Sequence, residues 1–526
     1  MNNYTKRFLE ILTKVNLSSI KIKNATIALM IICSFDGIHC AQNEESTLTF
    51  DNAIKFSIEN NINLKMIAED IIQKEMTLEQ QKSIFDPNLM SKMNKTRSKT
   101  AQGLAPLTLT NEAESISSSV SISKKFREGF NLTSSIALNK SESNTTGFAS
   151  SAASNRGELS LNIAVPLLKG RGKYGTYQEK IAVHQLLAQR SSFLHSVSEE
   201  ILNVINTYWN YVATNQKLAI YNKSEEHAYK FWQSIIKLAK EDEKSKRDLL
   251  QPEARYKSRV SNRIQLEQSL LVAKFKMAEV IGLDFSEYEK IGLPQKAFPI
   301  PVKLKNLATT VSPKTLEASF DFRNDYIQQQ ENIKAAQLQV KSTTNGLLPN
   351  LALNANSGYN GLDNGNDFSP YWRSLSKNTR GLNYGLSLTF EMPIGNRYSK
   401  SALIQSQSQI KKLNLSQLSL KRSIKSQITI AYYALRNATS KLDFNSGNSD
   451  VLKKALDGEK KKLKYGMSTI VDVLTIENEY LDSQISVIDD HKNVLMALAL
   501  YRHATGKLVN AHDHHVNVKT EELLTY

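Results

Sequence analysis

A large part of this chain is written twice, and that duplication limits the possible folds more than any single motif does. Adding 224 to the numbers of Val204, Tyr208, Lys217, Leu218, Asp248, Leu250, Glu253, Ile264, Leu271 and Gly282 gives Ile428, Tyr432, Lys441, Leu442, Asp472, Leu474, Glu477, Ile488, Leu495 and Gly506, with no gap in the span. Upstream, Leu64 precedes Pro87 by the same interval as Tyr326 precedes Pro349, and each proline opens a Pro-Asn-Leu triplet. That pair is offset by 262, and the offset falls to 227 at Pro166 and Pro393. The first copy therefore holds 35 extra residues between its two prolines. Each copy reads helix, proline, variable segment, proline, very long helical segment.

Between the copies, from Asp284 to Pro313, the helical period is lost and Pro294, Pro299, Pro301 and Pro313 accumulate, as in a linker. The division that follows is a first repeat over 42–283, a linker over 284–318, a second repeat over 319–508 and a polar tail over 509–526.

The long segments are helical by period. Leu474, Leu481, Ile488 and Leu495 recur every seven residues, and the first copy supplies Leu250, Ile264 and Leu271 with Lys257 at the remaining place. A seven-residue apolar repeat is a coiled-coil seam, although three or four heptads also suit the core stripe of an ordinary bundle. Length decides for the seam: Pro166 to Asp242 and Pro393 to Gly466 each exceed seventy residues, or about 110 Å of helix at 1.5 Å per residue.

The segments between the prolines have period two. Leu386, Leu388, Phe390 and Met392 alternate with Ser387, Thr389 and Glu391, and Leu159, Leu161, Ile163 and Val165 alternate with Ser160, Asn162 and Ala164. This is a strand pattern. On an exported chain it is also the pattern of a transmembrane barrel, with one face to lipid and the other to a watery lumen. Polar stretches such as Asn354 to Asn383 suit extracellular loops. The extra residues of the first copy carry two more alternating runs, Ile116 to Ile122 and Phe130 to Leu138, joined by Glu128-Gly129; an outward hairpin and additional wall strands both fit them.

Ala25 to Phe35 is an apolar run that follows Lys6, Arg7, Lys14, Lys21 and Lys23. This is the charge order of a secretory signal, too short to span a bilayer, and it places a signal peptide over 1–41. Cys33 and Cys40, the two cysteines, fall inside it, so the mature chain has no disulfide and no thiolate metal site. Cys40 as a lipidated first residue is the alternative, but Gly37-Ile38-His39 matches a lipoprotein signal poorly. Elsewhere no run of eighteen apolar residues occurs and mean hydropathy is −0.37, which excludes a helical inner-membrane transporter. The net charge of +16 raises nucleic acid as a partner. The basic residues are spread along the chain among acids rather than clustered, so none is expected.

With these features in place the chain resembles the TolC-like outer-membrane efflux protein family. The most specific stretch is Lys464-Tyr465-Gly466-Met467-Ser468-Thr469-Ile470-Val471-Asp472-Val473-Leu474, which is similar to the family's helix-hairpin turn. Leu48 to Leu64 with Glu59-Asn60-Asn61, Arg323-Asn324-Asp325, Leu347-Leu348-Pro349-Asn350-Leu351 and Ala504-Thr505-Gly506 add to it. The resemblance implies an α+β membrane protein: a transmembrane β-barrel shared by a homotrimer, four strands from each subunit, continued by a long α-helical coiled-coil tunnel. It implies a periplasmic adaptor protein, an inner-membrane transporter and outer-membrane lipid as partners. The function it implies is the exit duct of a tripartite efflux pump or type I secretion system. A periplasmic coiled-coil structural or adaptor protein is the alternative, and it would lack the alternating strands.

The resemblance also supplies the candidate residues. Lys464, Tyr465, Gly466, Met467, Ser468 and Thr469 form one adaptor-contacting tip, and Asp242, in the Lys240 to Arg247 charge run, stands at the other where Gly466 stands in the second copy. Asp472 is placed as the pore constriction, repeated as a ring of charge, with Val471, Val473 and Leu474 buried on its opposite side. A carboxylate near a helix N-terminus is the simpler role for the same residue. Ser468 stands where the family often has arginine, and Thr475 where a second acid can occur, so the gate is expected to be loose. No catalytic site, cofactor or metal is expected. His512, Asp513, His514 and His515 suit a polar tail better than a metal site, Gly170-Arg171-Gly172 lacks a nucleotide-binding context, and no nucleophile motif pairs a Ser or Asp with a His.

Overall fold

The computed structural model describes residues 47–104, 107–145, 153–241, 250–295, 297–299, 309–379, 381–512 and 515–517. The expected signal segment with Cys33 and Cys40, and Asp242, Asp513 and His514, lie outside the described residues.

In order the elements are α1 (Phe50–Asn60), α2 (Ile62–Ser83), β1 (Asn88–Leu104), β2 (Leu107–Lys125), β3 (Asn131–Thr145), β4 (Ser154–Pro166), α3 (Tyr177–Glu241), α4 (Leu250–Val280), α5 (Pro313–Ala318), α6 (Asn324–Asn345), β5 (Asn350–Asn364), α7 (Phe368–Arg373), β6 (Asn383–Glu391), α8 (Arg397–Lys464), α9 (Ile470–Ala504), β7 (Asn510–His512) and β8 (His515–Asn517). α3 and α8 run for 65 and 68 residues. No described helix is long and apolar enough to cross a membrane.

Two compact units divide the chain. The first takes the described residues of 1–69, 193–324 and 423–526. Its core collects Phe50, Ile54, Ile201, Tyr208, Trp209, Met277 and Leu495, with Phe50 stacked 5.0 Å from Trp209. Leu435 of α8 packs on Val494 and Leu498 of α9 in a second cluster. Lys217 of α3 meets Asp489 of α9 at 2.7 Å, and Arg255 of α4 meets Glu477 of α9 at 2.8 Å.

The two heptad seams fare differently. Leu481, Ile488 and Leu495 are buried and Leu474 is half-buried, whereas Leu250, Ile264 and Leu271, the counterparts of Leu474, Ile488 and Leu495, are exposed. The repeated sequence presents the same stripe in both hairpins, but only the second has a neighbour from its own chain to cover it.

Glycines at equivalent positions close the last helix of each copy. Gly282 and Gly506 have φ +76° and +75°. In each the following amide bonds back to the fifth carbonyl before it, Leu283 to Ala278 at 3.1 Å and Lys507 to Arg502 at 2.8 Å. This is the Schellman arrangement, in which a left-handed residue lets the chain satisfy the last carbonyls of a helix. Arg323, 3% exposed, donates to the Ala504 carbonyl at 3.2 Å and so helps to satisfy the same helix end.

The second unit takes residues 70–192 and 325–422. It holds the first turns of α3 with α2 and α6, fixed by Leu78 against Leu186 and by His184 to Glu331 at 2.7 Å. With α7 and the start of α8 it also holds one sheet of order β1-β2-β3-β4-β5-β6, antiparallel throughout. The resemblance implies four strands from a subunit; this chain has six. The runs Ile116 to Ile122 and Phe130 to Leu138 belong to β2 and β3, in the same sheet as the rest. Asn354 to Asn383 is not wholly loop, because β5 continues through Asn364. Asn354, Asn356, Gly358 and Asn360 share one face of that strand, and composition alone reads such a strand as a loop. The tail too carries structure, the short β7–β8 pair.

Candidate functional site

Two features stand out, one in each unit, and the first is the tip of the second hairpin. α8 stops at Gly466 because Gly466 adopts φ +73°. The Met467 amide then bonds to Lys462 O at 2.9 Å and the Gly466 amide to Leu463 O at 3.1 Å, the Schellman pattern again. α9 begins three residues on, at a capping box. The Thr469 hydroxyl accepts from the Asp472 amide at 3.2 Å, and the Asp472 carboxylate accepts from the Thr469 amide at 3.1 Å. The Thr469 hydroxyl, and after it the Thr469 amide, holds the Asp472 carboxyl below the usual carboxylate range.

The structure therefore brings Thr469 and Asp472 together, in the helix-capping role. Val473 is buried and Leu474 half-buried, but Val471 is exposed, contrary to the expectation that all three bury opposite Asp472. The reason is position: in the first turn of α9 only every third or fourth residue faces the partner helix. Tyr465 and Met467 are 73% and 70% exposed and make the tip an apolar knob between lysines. Glu459 was not expected at this site. It accepts from the Ser468 hydroxyl at 2.5 Å and pairs with Lys462 at 3.1 Å, and these two contacts, Ser468 first, keep its carboxyl low. It ties the turn back onto α8.

The second feature is the sheet, whose two faces have opposite chemistry. The registers place Leu89, Met93, Val120, Ile136, Leu159, Leu161, Tyr359, Leu386, Leu388 and Phe390 on one face. Ser119, Ser121, Ser135, Ser160, Asn162, Asn356, Ser387 and Thr389 lie on the other. Hydroxyls pair across that second face, Ser135 to Ser160 at 2.6 Å. Beyond the apolar stretch the first face turns charged, with Lys95–Glu114 at 2.5 Å and Arg97 paired with Glu112.

A folded segment caps this face on β3, β4 and β5. Tyr371 of α7 donates its hydroxyl to Leu138 O at 3.1 Å, and Lys377 pairs with Asp363 at 3.0 Å. Glycine lets it lie on the sheet: a Cβ on Gly157 would lie 2.7 Å from the Leu375 amide nitrogen. Phe368 and Trp372 stay exposed beside Tyr371. These aromatics form a border to the apolar face, and the run Phe368-Ser-Pro-Tyr-Trp within polar surroundings was the sequence signal for it. No group of His, Cys, Asp and Glu able to hold a metal occurs among the described residues.

The sheet with its exposed apolar face is carried on a chain with two helices of more than sixty residues. Residues 319–507 match the family model described as outer membrane efflux protein. Solved structures agree in fold. The Campylobacter jejuni CmeC outer membrane channel is 13% identical, with 88% of this chain and 87% of that chain covered at a TM-score of 0.63. The outer membrane protein VceC of Vibrio cholerae is 14% identical, with 87% and 96% covered at 0.61. The Neisseria gonorrhoeae MtrE outer membrane channel is 14% identical, with 87% and 88% covered at 0.59. No curated protein matches the chain by sequence.

Proposed function

We propose that this protein is the exit duct of an export machine, a passive conduit across the outer membrane and the periplasm. The observation that carries the reading is the two-faced sheet in a chain with an outer membrane efflux protein domain. Lipid takes the Leu, Ile and Phe face, and water takes the Ser, Asn and Thr face. The chain is an outer-membrane protein reaching into the periplasm. Its work is conduction, with no chemical step, in a tripartite efflux pump or type I secretion system. A soluble periplasmic adaptor would gain nothing from an apolar sheet face of this extent.

Self-association into a homotrimer is part of the reading. β1 and β6 each leave one edge unpaired in the single chain, and open edges do not persist in hydrocarbon. Leu250, Ile264 and Leu271 on α4 and Ile430, Phe444 and Val451 on α8 are exposed stripes at multiples of seven residues, suited to helices of neighbouring copies.

The tip Lys464 to Thr469 offers Tyr465 and Met467 to a periplasmic adaptor, which in turn links to an inner-membrane transporter. Asp242 is proposed for the corresponding tip of the first hairpin. Asp472, repeated by the trimer, would charge the periplasmic mouth, since like charges in a confined passage focus potential for cations.

Outer-membrane fractionation followed by single-channel recording in planar bilayers tests the function. Ion-conducting channels from the outer-membrane fraction are expected; a protein found in the soluble periplasm with no conductance overturns the reading. In the same bilayers Asp472→Asn should lower cation selectivity, and unchanged selectivity leaves Asp472 with its capping role alone.

A further inference from the structure

We propose that all six strands of this chain lie in the membrane wall, and that the wall closes by pairing β1 of one copy with β6 of the next. The proposal rests on the channel reading above and departs from the four strands per subunit that the family resemblance implies.

The first support is the continuity of the apolar face. Leu89 and Met93 on β1 and Val120 and Ile122 on β2 lie on the same face as Leu161 on β4 and Leu386 on β6. A hairpin projecting away from lipid would have no use for apolar residues on that face. Both outer strands therefore carry the lipid-facing pattern to the edges of the sheet.

The second support is the slope of the apolar band. One hydrogen-bonded row runs from Leu89 through Ile122, Ser134, Leu161 and Ser357 to Tyr384. Leu89 and Ile122 are the first apolar residues of that face on β1 and β2, at the end nearer Pro87 and Pro166. On β6 the corresponding limit is Phe390, six residues beyond Tyr384 in the sequence. The band thus falls by six residues relative to the row over the five steps from β1 to β6. Lipid is level, so this drift measures strand tilt. Six residues at about 3.3 Å against five inter-strand steps of about 4.8 Å give a tilt of about 40°. Membrane barrels have strand tilts of about 35–45°. The drift accumulates between β2 and β5, since Leu89 shares its row with Ile122 and Leu351 shares its row with Phe390.

Continuing the band onto the next copy fixes the joint. Levelling the two limits sets Leu89 of that copy beside Phe390 and Met93 beside Leu386, with Lys92 beside Ser387 on the polar face. β1 and β6 run in opposite directions in this antiparallel sheet, so the joint is itself antiparallel and every face is preserved. Three copies joined in this way make eighteen strands instead of twelve, a count at which barrels enclose an open aqueous channel.

Site-directed disulfide trapping of the full-length protein in outer membranes tests the joint, in a Cys33→Ala/Cys40→Ala background. Lys92→Cys/Ser387→Cys, with Lys92→Cys/Thr389→Cys covering a two-residue slip, should give covalent dimers and trimers on mild oxidation. Thr133→Cys/Thr389→Cys should give none, because it reports a four-strand wall in which β3 meets β6 of the next copy and the β1–β2 hairpin stands apart. Crosslinking of that third variant overturns the six-strand wall while leaving the channel reading intact. If none of the three crosslinks in protein that reaches the outer membrane, copies do not share a sheet, and the proposal and the reading beneath it both fall.

Discussion

Gly506 stands so close to the chain ahead of α6 that a Cβ on it would lie 2.5 Å from the carbonyl oxygen of Phe322. The first copy repeats the contact: a Cβ on Gly282 would lie 2.9 Å from the Asn60 carbonyl carbon. Asn60 and Phe322 differ by 262, the offset that relates Leu64 to Tyr326, so one close approach is kept in both halves.

Two glycines separate conformation from space. Gly466 has a left-handed φ like Gly506, but its Cβ would meet nothing within 4 Å. Gly466→Ala is expected to cost only the left-handed penalty of about 1–2 kcal/mol. Gly506→Ala adds a clash with backbone and should cost at least about 1 kcal/mol more, within the range for overpacking. Thermal unfolding followed by helical circular dichroism ranks them, and equal losses would show that the Phe322 contact yields freely.

Asp472 gives the tip a pH dependence of known sign. Its folded carboxyl lies below the unfolded value, so its contribution is present above the ordinary carboxylate range and is lost as pH falls through the depressed value. The protection of the first amides of α9, taken relative to their intrinsic exchange rates, should fall under acid in the native protein. In Asp472→Asn those amides should exchange faster at neutral pH and lose most of that acid response.

Two tyrosines act at the other end of the scale. Burial pushes Tyr208 and Tyr211 up to about 12, and their hydroxyls donate to Leu48 O at 3.0 Å and Gly292 O at 3.2 Å. The unfolded chain loses these protons near pH 10 and the folded chain holds them, so stability should fall between about pH 10 and pH 12. Tyr208→Phe/Tyr211→Phe should be less stable at neutral pH by about 0.5–1.5 kcal/mol per hydrogen bond. Its melting temperature should decline less steeply over the alkaline range, and a parallel decline would place the alkaline transition elsewhere.

The segment around α7 depends on a close approach to the sheet at Gly157. Gly157→Ala would drive a methyl group into the Leu375 backbone. Residues 366–377 are expected to gain hydrogen exchange while β4 and β5 remain protected, as mass spectrometry of the detergent-solubilised protein can show. Unchanged protection of the segment would mean that it adjusts without leaving the sheet.

Periodicity carried the long helices and the strands with strict alternation, because burial on one face imposes a period on the sequence. β1 escaped it. Lys92, Lys95, Arg97 and Lys99 sit on both of its faces, and only Leu89 and Met93 mark the apolar one, so neither composition nor alternation singles it out. The tip was legible through Gly466 and Asp472, but Glu459 was not, since it joins the turn across nine residues by a single hydroxyl contact. The seam of α4 was legible too. Its exposure was not, because sequence reports that a stripe is apolar and not which chain covers it.

The pairing of β4 with β5 joins residues from opposite halves of the polypeptide, Pro166 with Ala352 at its base. The four strands before it are a meander of neighbours, each able to pair as it emerges. β4 must then hold an open edge until the next 180 or so residues have arrived, and closing that loop costs about 4–5 kcal/mol of chain entropy. For a chain delivered from its N-terminus, completion of the sheet is thus a late and slow event. During that wait the half-built sheet is the species most exposed to wrong partners.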